Sequence, residues 1–519
     1  MRYALTADEI REVEAAAVAR GDTTPEALME RAGGALAAEV ARRAPEGEIV
    51  VVTGKGNNGG DGWVAARALA EVARAVRVLA CAPPDTLAGP AAAAAHAAAR
   101  AGVAWDDARE ARVLARALET AAAVVDAVFG VGFAGVAREP YASAIDAIVA
   151  AGHAGALVVS ADVPSGVDAD SGAVTGAAVR AAVTVTFSAL KPGLLLYPGA
   201  AHTGEIVVAD VGLAGDGPAP TGALEVWDGA DYRALLPALP ADVHKGSRGR
   251  VLVVAGSHRF AGAAVLAAAG AARMGAGYVV AAVPSPVVPV VQSALPHVIV
   301  ADIEADAEGG FALSAAAAIR SLASEADAVV LGPGIGLGEG ARALVAELVD
   351  SVEAPVVLDA DALNALATAW PRALAARDGR GAATIATPHP GEAARLLGMT
   401  TGEVQADRPA AARRLAGARR ACVLKGARTV VAGAGRAAVT LAGNPGMATA
   451  GTGDVLAGML GTLAAQGLEP YEAGLLAAYL HGRAGDLAAD ALTERCLVSG
   501  DLTEYLPAAV RELLDPPLG

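Results

Sequence analysis

A chain of 519 residues is too long to bury a single hydrophobic core, so its length points to two or three domains. Hydrophobic residues make up 54% of it but aromatic ones only 3%, with alanine filling the difference, so its core must be built from small side chains on many helices. A formal net charge of -16 excludes nucleic-acid phosphates and anionic membrane surfaces as main partners, while leaving room for a small anion held by a loop of backbone N–H groups.

The first twenty residues carry Asp8, Glu9, Glu12 and Glu14 where an export signal would be basic and then apolar, so a cytoplasmic location is expected. Strands are predicted at 49–53, 76–80, 123–128 and 157–161, each followed by an alanine-rich helical segment. That alternation predicts a parallel sheet with helices on both faces. The first strand runs into GKGNNGGDG (54–62), after which a helix is predicted over 63–74. Two more glycine-flanked loops, 126–136 (DAVFGVGFAGV) and 162–168 (DVPSGVD), should leave the same carboxyl edge, where ligands of open α/β sheets bind. Asn58, Asp126 and Ser165 offer oxygens of low total charge that suit a monovalent cation as well as Mg2+; each could equally cap a helix or close a turn. Lys191, in FSALKPG (187–193), reads by itself as a solvated surface lysine. Apolar stretches at 88–104 and 260–300 are interrupted by His96, Arg100, Arg273 and prolines, unlike membrane spans. Cys81, Cys422 and Cys496 are far apart and read as buried small hydrophobes in a reducing compartment.

A Gly/Pro-rich stretch, GLAGDGPAPT (212–221), divides the chain into residues 1–213, a linker at 214–223, and residues 224–519. Strands are predicted in the second half at 250–255, 278–283, 328–331, 356–359, 384–386, 422–425 and 429–432. The expected fold class is α/β: two doubly wound domains, the first a Rossmann-like three-layer domain. No glycine motif recurs at matching positions, so no internal duplication is read. The stretch GNPGMATAGTGDVLAG (443–458) should end a strand and open a helix of small residues. Gly451, Thr452 and Gly453 would aim N–H groups at an anion, and Asp454 could accept a proton from a hydroxyl attacking a phosphoryl group. Loops at 332–336 (GPGIG), 359–364 (DADALN), 387–392 (TPHPGE) and 425–429 (KGART) would join it at the strands' carboxyl ends. Prolines on both sides hold His389 in its loop, and Lys425 with Arg428 forms a cationic spot for a nucleotide phosphate. The chain contains no Walker A sequence.

GNNGGDG (56–62), DAVFGVG (126–132), ADVPSGVDADSG (161–172) and VTVTFSALKPG (183–193) resemble, in order and spacing, the NAD(P)H-hydrate epimerase family over residues 1–213. The resemblance implies that hydrated NADH or NADPH binds at Asn57, Asn58, Gly59, Gly60 and Asp61, at Gly130, Val131, Gly132, Phe133, Ala134, Gly135 and Val136, and at Asp162. It implies potassium at Asn58, Asp126 and Ser165, and inversion at the hydroxyl-bearing ring carbon, with Asp162 and Lys191 as the expected proton-transfer residues. Residues 224–510, including KGSRG (245–249) and GSHRFAGAA (256–264), resemble the ribokinase-like superfamily, and within it the ADP- or ATP-dependent NAD(P)H-hydrate dehydratases. That resemblance implies a ribokinase-like domain with hydrate contacts at Ala263, Gly334, Gly336, His389 and Asp454. Nucleotide contacts are implied at Lys425, Gly426, Ala427, Arg428, Thr429 and Gly453. The implied chemistry is phosphorylation of the ring hydroxyl and loss of phosphate, with Asp454 as base, Mg2+ screening the phosphates and ADP the favoured donor. At 450–452 the chain has Ala-Gly-Thr, where the family often has a second glycine and a serine; the residues stay small. Joining the two activities makes chemical sense if only one epimer can be dehydrated. The rival reading is a vitamin or thiazole kinase with a non-catalytic N-terminal scaffold. Apolar faces on alanine-rich helices lead us to expect a homo-oligomer.

Overall fold

The computed structural model describes residues 1–213 and 222–515, which form two compact units, Arg2–Ala223 and Leu224–Gly519. Residues 214–221, most of the expected linker, lie outside the described residues. In the first unit Ala4, at the end of Arg2–Ala4 (β1), bridges to Leu190. The main sheet comprises Ile49–Thr53 (β2), Val76–Ala80 (β3), Ala104–Asp107 (β4), Ala123–Ala127 (β5), Leu157–Ala161 (β6), Val183–Phe187 (β7) and Glu205–Ala209 (β8). Its seven strands are all parallel, in the order β4-β3-β2-β5-β6-β7-β8. The chain runs outward from β2 to β4 and resumes on the other side of β2 at β5. The order therefore reverses between β2 and β5, and the loops leaving these strands part to open a crevice.

Side chains of β2 alternate between two covered faces. Ile49 and Val51 pack with Leu36, Trp63 and Leu69, whereas Val50 and Val52 pack with Leu114, Ile145 and Ile148. This is the three-layer arrangement expected from the sequence. The apolar pattern misses the edges β4 and β8 and also β7, which is buried but alternates threonine with apolar residues; β4 reads AWDD and is half-exposed or exposed throughout, so it presents no buried run. The helix expected from residue 63 begins at Asn57 and runs Asn57–Glu71. Glycines there serve space instead of a loop. A Cβ on Gly59 would lie 2.1 Å from the Gly54 carbonyl oxygen, and one on Gly62 would lie 2.6 Å from Ala127 Cβ. Backbone contact with the strand ends offsets the roughly 1 kcal/mol that each helical glycine costs.

In the second unit the strands are Leu224–Val226 (β9), Arg250–Val254 (β10), Tyr278–Pro284 (β11), Ile299–Ile303 (β12), Ala328–Leu331 (β13), Val356–Leu358 (β14), Thr384–Ala386 (β15), Arg420–Leu424 (β16), Val430–Gly433 (β17) and Arg436–Val439 (β18). Their order is β9-β18-β17-β16-β15-β14-β13-β10-β11-β12, parallel except where β17 meets β16 and β18. Helices Ala261–Arg273 and Thr452–Ala465 meet in backbone contact. A Cβ on Gly458 would lie 1.9 Å from the Ala267 carbonyl oxygen, and one on Gly270 would lie 2.3 Å from that of Val455. The alanine- and glycine-rich composition has its structural counterpart in this crossing. β18 ends at Val439, so residues 440–442 separate it from the GNPG stretch that was expected to follow directly. Cys81 and Cys422 are buried, but Cys496 is exposed, contrary to expectation. No helix among the described residues is long and apolar enough to cross a membrane.

Candidate active site

A cavity of about 780 Å³ lies over the crevice of the first unit. Asn57, Asn58 and Asp61 reach it from the first turns of Asn57–Glu71, Gly130, Val131, Gly132, Phe133 and Ala134 from the loop after β5, Asp162 from the end of β6, and Lys191 from the loop after β7. Gly59 packs on Gly54 and Gly60 on Met29, outside the lining. Gly135 and Val136 also lie beyond it, Val136 on the surface.

Lys191 is only 1% exposed, which corrects the surface reading. It is ion-paired with Asp162 and donates to Thr186 Oγ1 and the Phe187 carbonyl, each at 2.9 Å. All three ammonium protons are thus directed at protein oxygens. Asp162 has a left-handed backbone, φ 63°, a conformation costing on the order of 1–3 kcal/mol in a non-glycine residue. The Asp162 N–H donates to the Val185 carbonyl at 2.7 Å and its Oδ1 accepts from the Phe187 N–H at 3.2 Å, holding that conformation.

Behind the cavity wall, Asp126 accepts from Ser160 Oγ at 2.8 Å, Ser165 N–H at 2.9 Å and Ser165 Oγ at 2.5 Å. Burial nonetheless pushes its carboxyl above the usual range. Ser165 Oγ accepts from the Phe129 N–H at 2.9 Å, and Asn58 Nδ2 donates to the Phe129 carbonyl at 2.7 Å. Asn58 and Ser165 therefore meet at Phe129, and Asp126 is linked to them through Ser165. Asn58 Oδ1 is buried without a hydrogen-bond partner. Asp61 is 9% exposed, and burial, then the Asp162 and Glu14 charges, hold its carboxyl well above the usual range.

In the second unit Asp454 stands in the first turn of Thr452–Ala465, after Gly451 at φ 94°. Burial, then the Asp359 charge, raises its carboxyl to about 7, with Lys425 working the other way. Lys425 Nζ pairs with Asp359 Oδ1 at 2.6 Å, which also accepts from Thr387 Oγ1 at 2.6 Å. The same ammonium lies 3.2 Å from where a Cβ on Gly453 would stand. His389 caps Pro390–Leu397: its Nδ1 accepts from the N–H groups of Gly391 at 3.0 Å and Glu392 at 3.3 Å. Partial desolvation, with Lys425 and Arg395 adding to it, lowers its pKa, and its Nε2 lies 3.4 Å from Glu392 Oε1. Ala263 touches Gly334, where a Cβ would meet the Ala263 Cβ at 2.8 Å. Gly336 N–H donates to Asp361 Oδ2 at 2.9 Å, and both residues line a separate cavity of about 380 Å³ that Asp454, His389 and Lys425 do not reach. Arg428, at φ 60°, donates to the Leu441 carbonyl, and Thr429 Oγ1 to that of Gly426 at 3.2 Å.

The family model described as NAD(P)H-hydrate dehydratase matches residues 251–508, and that of the YjeF-related protein N-terminus matches residues 25–193. The bifunctional NAD(P)H-hydrate repair enzyme Nnr of Thermofilum pendens is 40% identical over 518 residues, covering 97% of this chain and 95% of that one. The chain belongs to the bifunctional NAD(P)H-hydrate repair enzyme family. Its counterpart in Moorella thermoacetica is 38% identical over 528 residues, covering 98% and 97% of the two chains. A solved ADP/ATP-dependent NAD(P)H-hydrate dehydratase from Bacillus subtilis, co-crystallised with ATP/Mg2+, is similar at a TM-score of 0.46 and 30% identity, covering 56% of this chain and 99% of that one. The full-length matches to repair enzymes do not favour the rival kinase reading.

Several residues around these repair-enzyme motifs carry no local signal. Glu14 lines the first cavity from the helix Ala7–Arg20. Arg408, 4% exposed, donates to the carbonyls of Leu424 at 3.0 Å, Lys425 at 3.3 Å and Arg428 at 3.4 Å, and so shapes the loop expected to hold nucleotide. His481 Nε2 lies 2.9 Å from the Thr452 carbonyl, and Asp486, on the same helix Pro470–Leu492, accepts from Gly443 N–H at 3.1 Å. That helix bonds the glycine stretch at its start and at Thr452. Only Asp359 had a readable signal, its place in DADALN at a strand end.

Proposed function

We infer that this chain repairs hydrated NADH and NADPH, its first unit interconverting the R and S hydrates and its second dehydrating the S hydrate with a nucleotide as phosphoryl donor. The observation that carries this reading is the 40% identity to a bifunctional repair enzyme across 97% of the chain. In the first unit the ring-nitrogen electrons expel the hydroxyl and water returns on the other face. Asp162 handles a proton there, and Lys191, with its protons committed, fixes Asp162 in place. In the second unit Asp454 takes the proton of the ring hydroxyl as its oxygen attacks the terminal phosphoryl group. Phosphate then leaves and the dihydronicotinamide is restored.

The buried, unpartnered Asn58 Oδ1, on a residue that shares Phe129 with Ser165 and through it links to Asp126, supports potassium over a smaller, more highly charged ion. Bound there, potassium supplies positive charge at the edge of the hydrate cavity. Lys425 to Thr429 and Gly453 are proposed to hold the nucleotide, ADP by preference, with Mg2+ on its phosphates. We further propose a cytoplasmic homo-oligomer.

The test mixes both epimers of hydrated NADH with the chain, K+, Mg2+ and either ADP or ATP, and follows the absorbance of the reduced ring. Full recovery is expected, faster with ADP. Recovery of only the S share would remove the epimerase, and phosphorylated hydrate that accumulates without eliminating phosphate would favour a kinase.

A further inference from the structure

Inversion at one carbon needs a proton donor where the hydroxyl leaves and an acceptor where water enters, on opposite ring faces. Asp162 supplies one such group. Lys191 cannot supply the other, because Asp162, Thr186 and the Phe187 carbonyl take all three of its protons. Among the cavity residues two carboxyls remain, Asp61 and Glu14, and neither has a hydrogen bond or ion pair among the described residues. Asp61 lies in the helix Asn57–Glu71, packed against the strand ends like Asp162. Glu14 comes from a different wall, the helix Ala7–Arg20, whose Ile10, Arg11 and Val18 also line the cavity.

We infer that Glu14 is the second acid–base group of the epimerase, working across the ring from Asp162. The inference rests on the epimerase reading above. In one direction protonated Glu14 gives its proton to the departing hydroxyl while the ring-nitrogen lone pair forms the C=N bond. Water then adds to the opposite face of the same carbon, and its proton passes to the Asp162 carboxylate. The roles exchange in the reverse direction. Glu14 is half-buried, so solvent can restore its proton between turnovers. Burial and then the Asp162 charge raise its carboxyl, while Lys191 and Arg11 oppose this. The charged groups facing it are Asp162 at the end of β6, Lys191 after β7, Asp61 on its helix and Arg11 on its own; Lys55 lines the same cavity.

The test uses the full chain and NMR exchange between the two hydrate epimers, without nucleotide, for Glu14→Gln, Glu14→Asp and Asp162→Asn. Glu14→Gln is expected to lower kcat by at least about 10²-fold with little change in KM, and to remove one limb of the pH profile. Glu14→Asp should restore part of the rate. Unchanged thermal unfolding of Glu14→Gln would show that the loss is not misfolding. A Glu14→Gln chain that keeps kcat, or raises only KM, overturns the inference even if Asp162→Asn is inactive. A native chain that exchanges the epimers no faster than buffer overturns the epimerase reading and this inference with it.

Discussion

Replacing Asp454 by asparagine should stabilise the protein while disabling dehydration. Burial, with the Asp359 charge second, raises the Asp454 carboxyl to about 7 from the 3.8 of a free aspartate, and Lys425 offsets only part of that. The folded chain therefore holds this proton more tightly than the unfolded chain. The resulting stabilisation is complete below about pH 4 and is lost as pH rises through about 7. Three pK units correspond to roughly 4 kcal/mol, and partial exposure to the site brings the expected penalty at high pH to about 2–4 kcal/mol. Asparagine never ionises, so Asp454→Asn should exceed the native chain in stability by that amount at about pH 8 in urea unfolding without nucleotide. The corresponding rise in Tm is on the order of 5 °C. The two stabilities should converge near pH 4. Dehydration should fall by about 10²- to 10⁴-fold, and native kcat should climb with pH to a plateau above about 7. A variant no more stable at high pH, or a difference that stays constant down to pH 4, would refute the claim that folding strains this carboxylate.

Lys191→Met should cost roughly 3–5 kcal/mol in urea unfolding, because it leaves the Asp162 carboxylate unpaired in the wall; adding Asp162→Asn should return much of that loss. Equal costs for the single and double variants would argue against the pairing. Asn58→Ala should raise the potassium concentration for half-maximal epimerisation by about tenfold or more, measured by titrating KCl against NaCl, and an unchanged value would remove Asn58 from the ligand set. Gly458→Ala gains about 1 kcal/mol of helix propensity but puts a Cβ 1.9 Å from the Ala267 carbonyl oxygen, so the expected net is a destabilisation of about 1–3 kcal/mol. A higher Tm for this variant would contradict the close helix crossing.

In the first unit apolar runs marked β2, β5 and β6 and the polar residues just past them come together, whereas in the second Gly336 and Asp361 line a cavity apart from Asp454, His389 and Lys425. Asn58 and Ser165 both bond to Phe129, and Asp126 joins them through the Ser165 hydroxyl. The edges β4, β8 and β12 were missed because one-sided burial leaves no continuous apolar run, as AWDD illustrates, whereas β7, β9 and β18 are largely buried and were missed because VTVTF, LEV and RAAV are short or carry polar residues. Lys191 was misread, and Glu14 passed over, for a different reason. The neighbours of Lys191 in sequence say nothing of the aspartate across the sheet edge that lets an ammonium be buried, and those of Glu14 describe an ordinary amphipathic helix. Whether a charged side chain is solvated or held in a cavity is decided by the element packed against it, which local sequence does not record. The same holds for Arg408 and His481, which act on the glycine loops through carbonyl oxygens that any residue would offer. Loop motifs therefore name the groups that can touch a ligand, while the residues that set their charge and aim become visible only with the tertiary contacts.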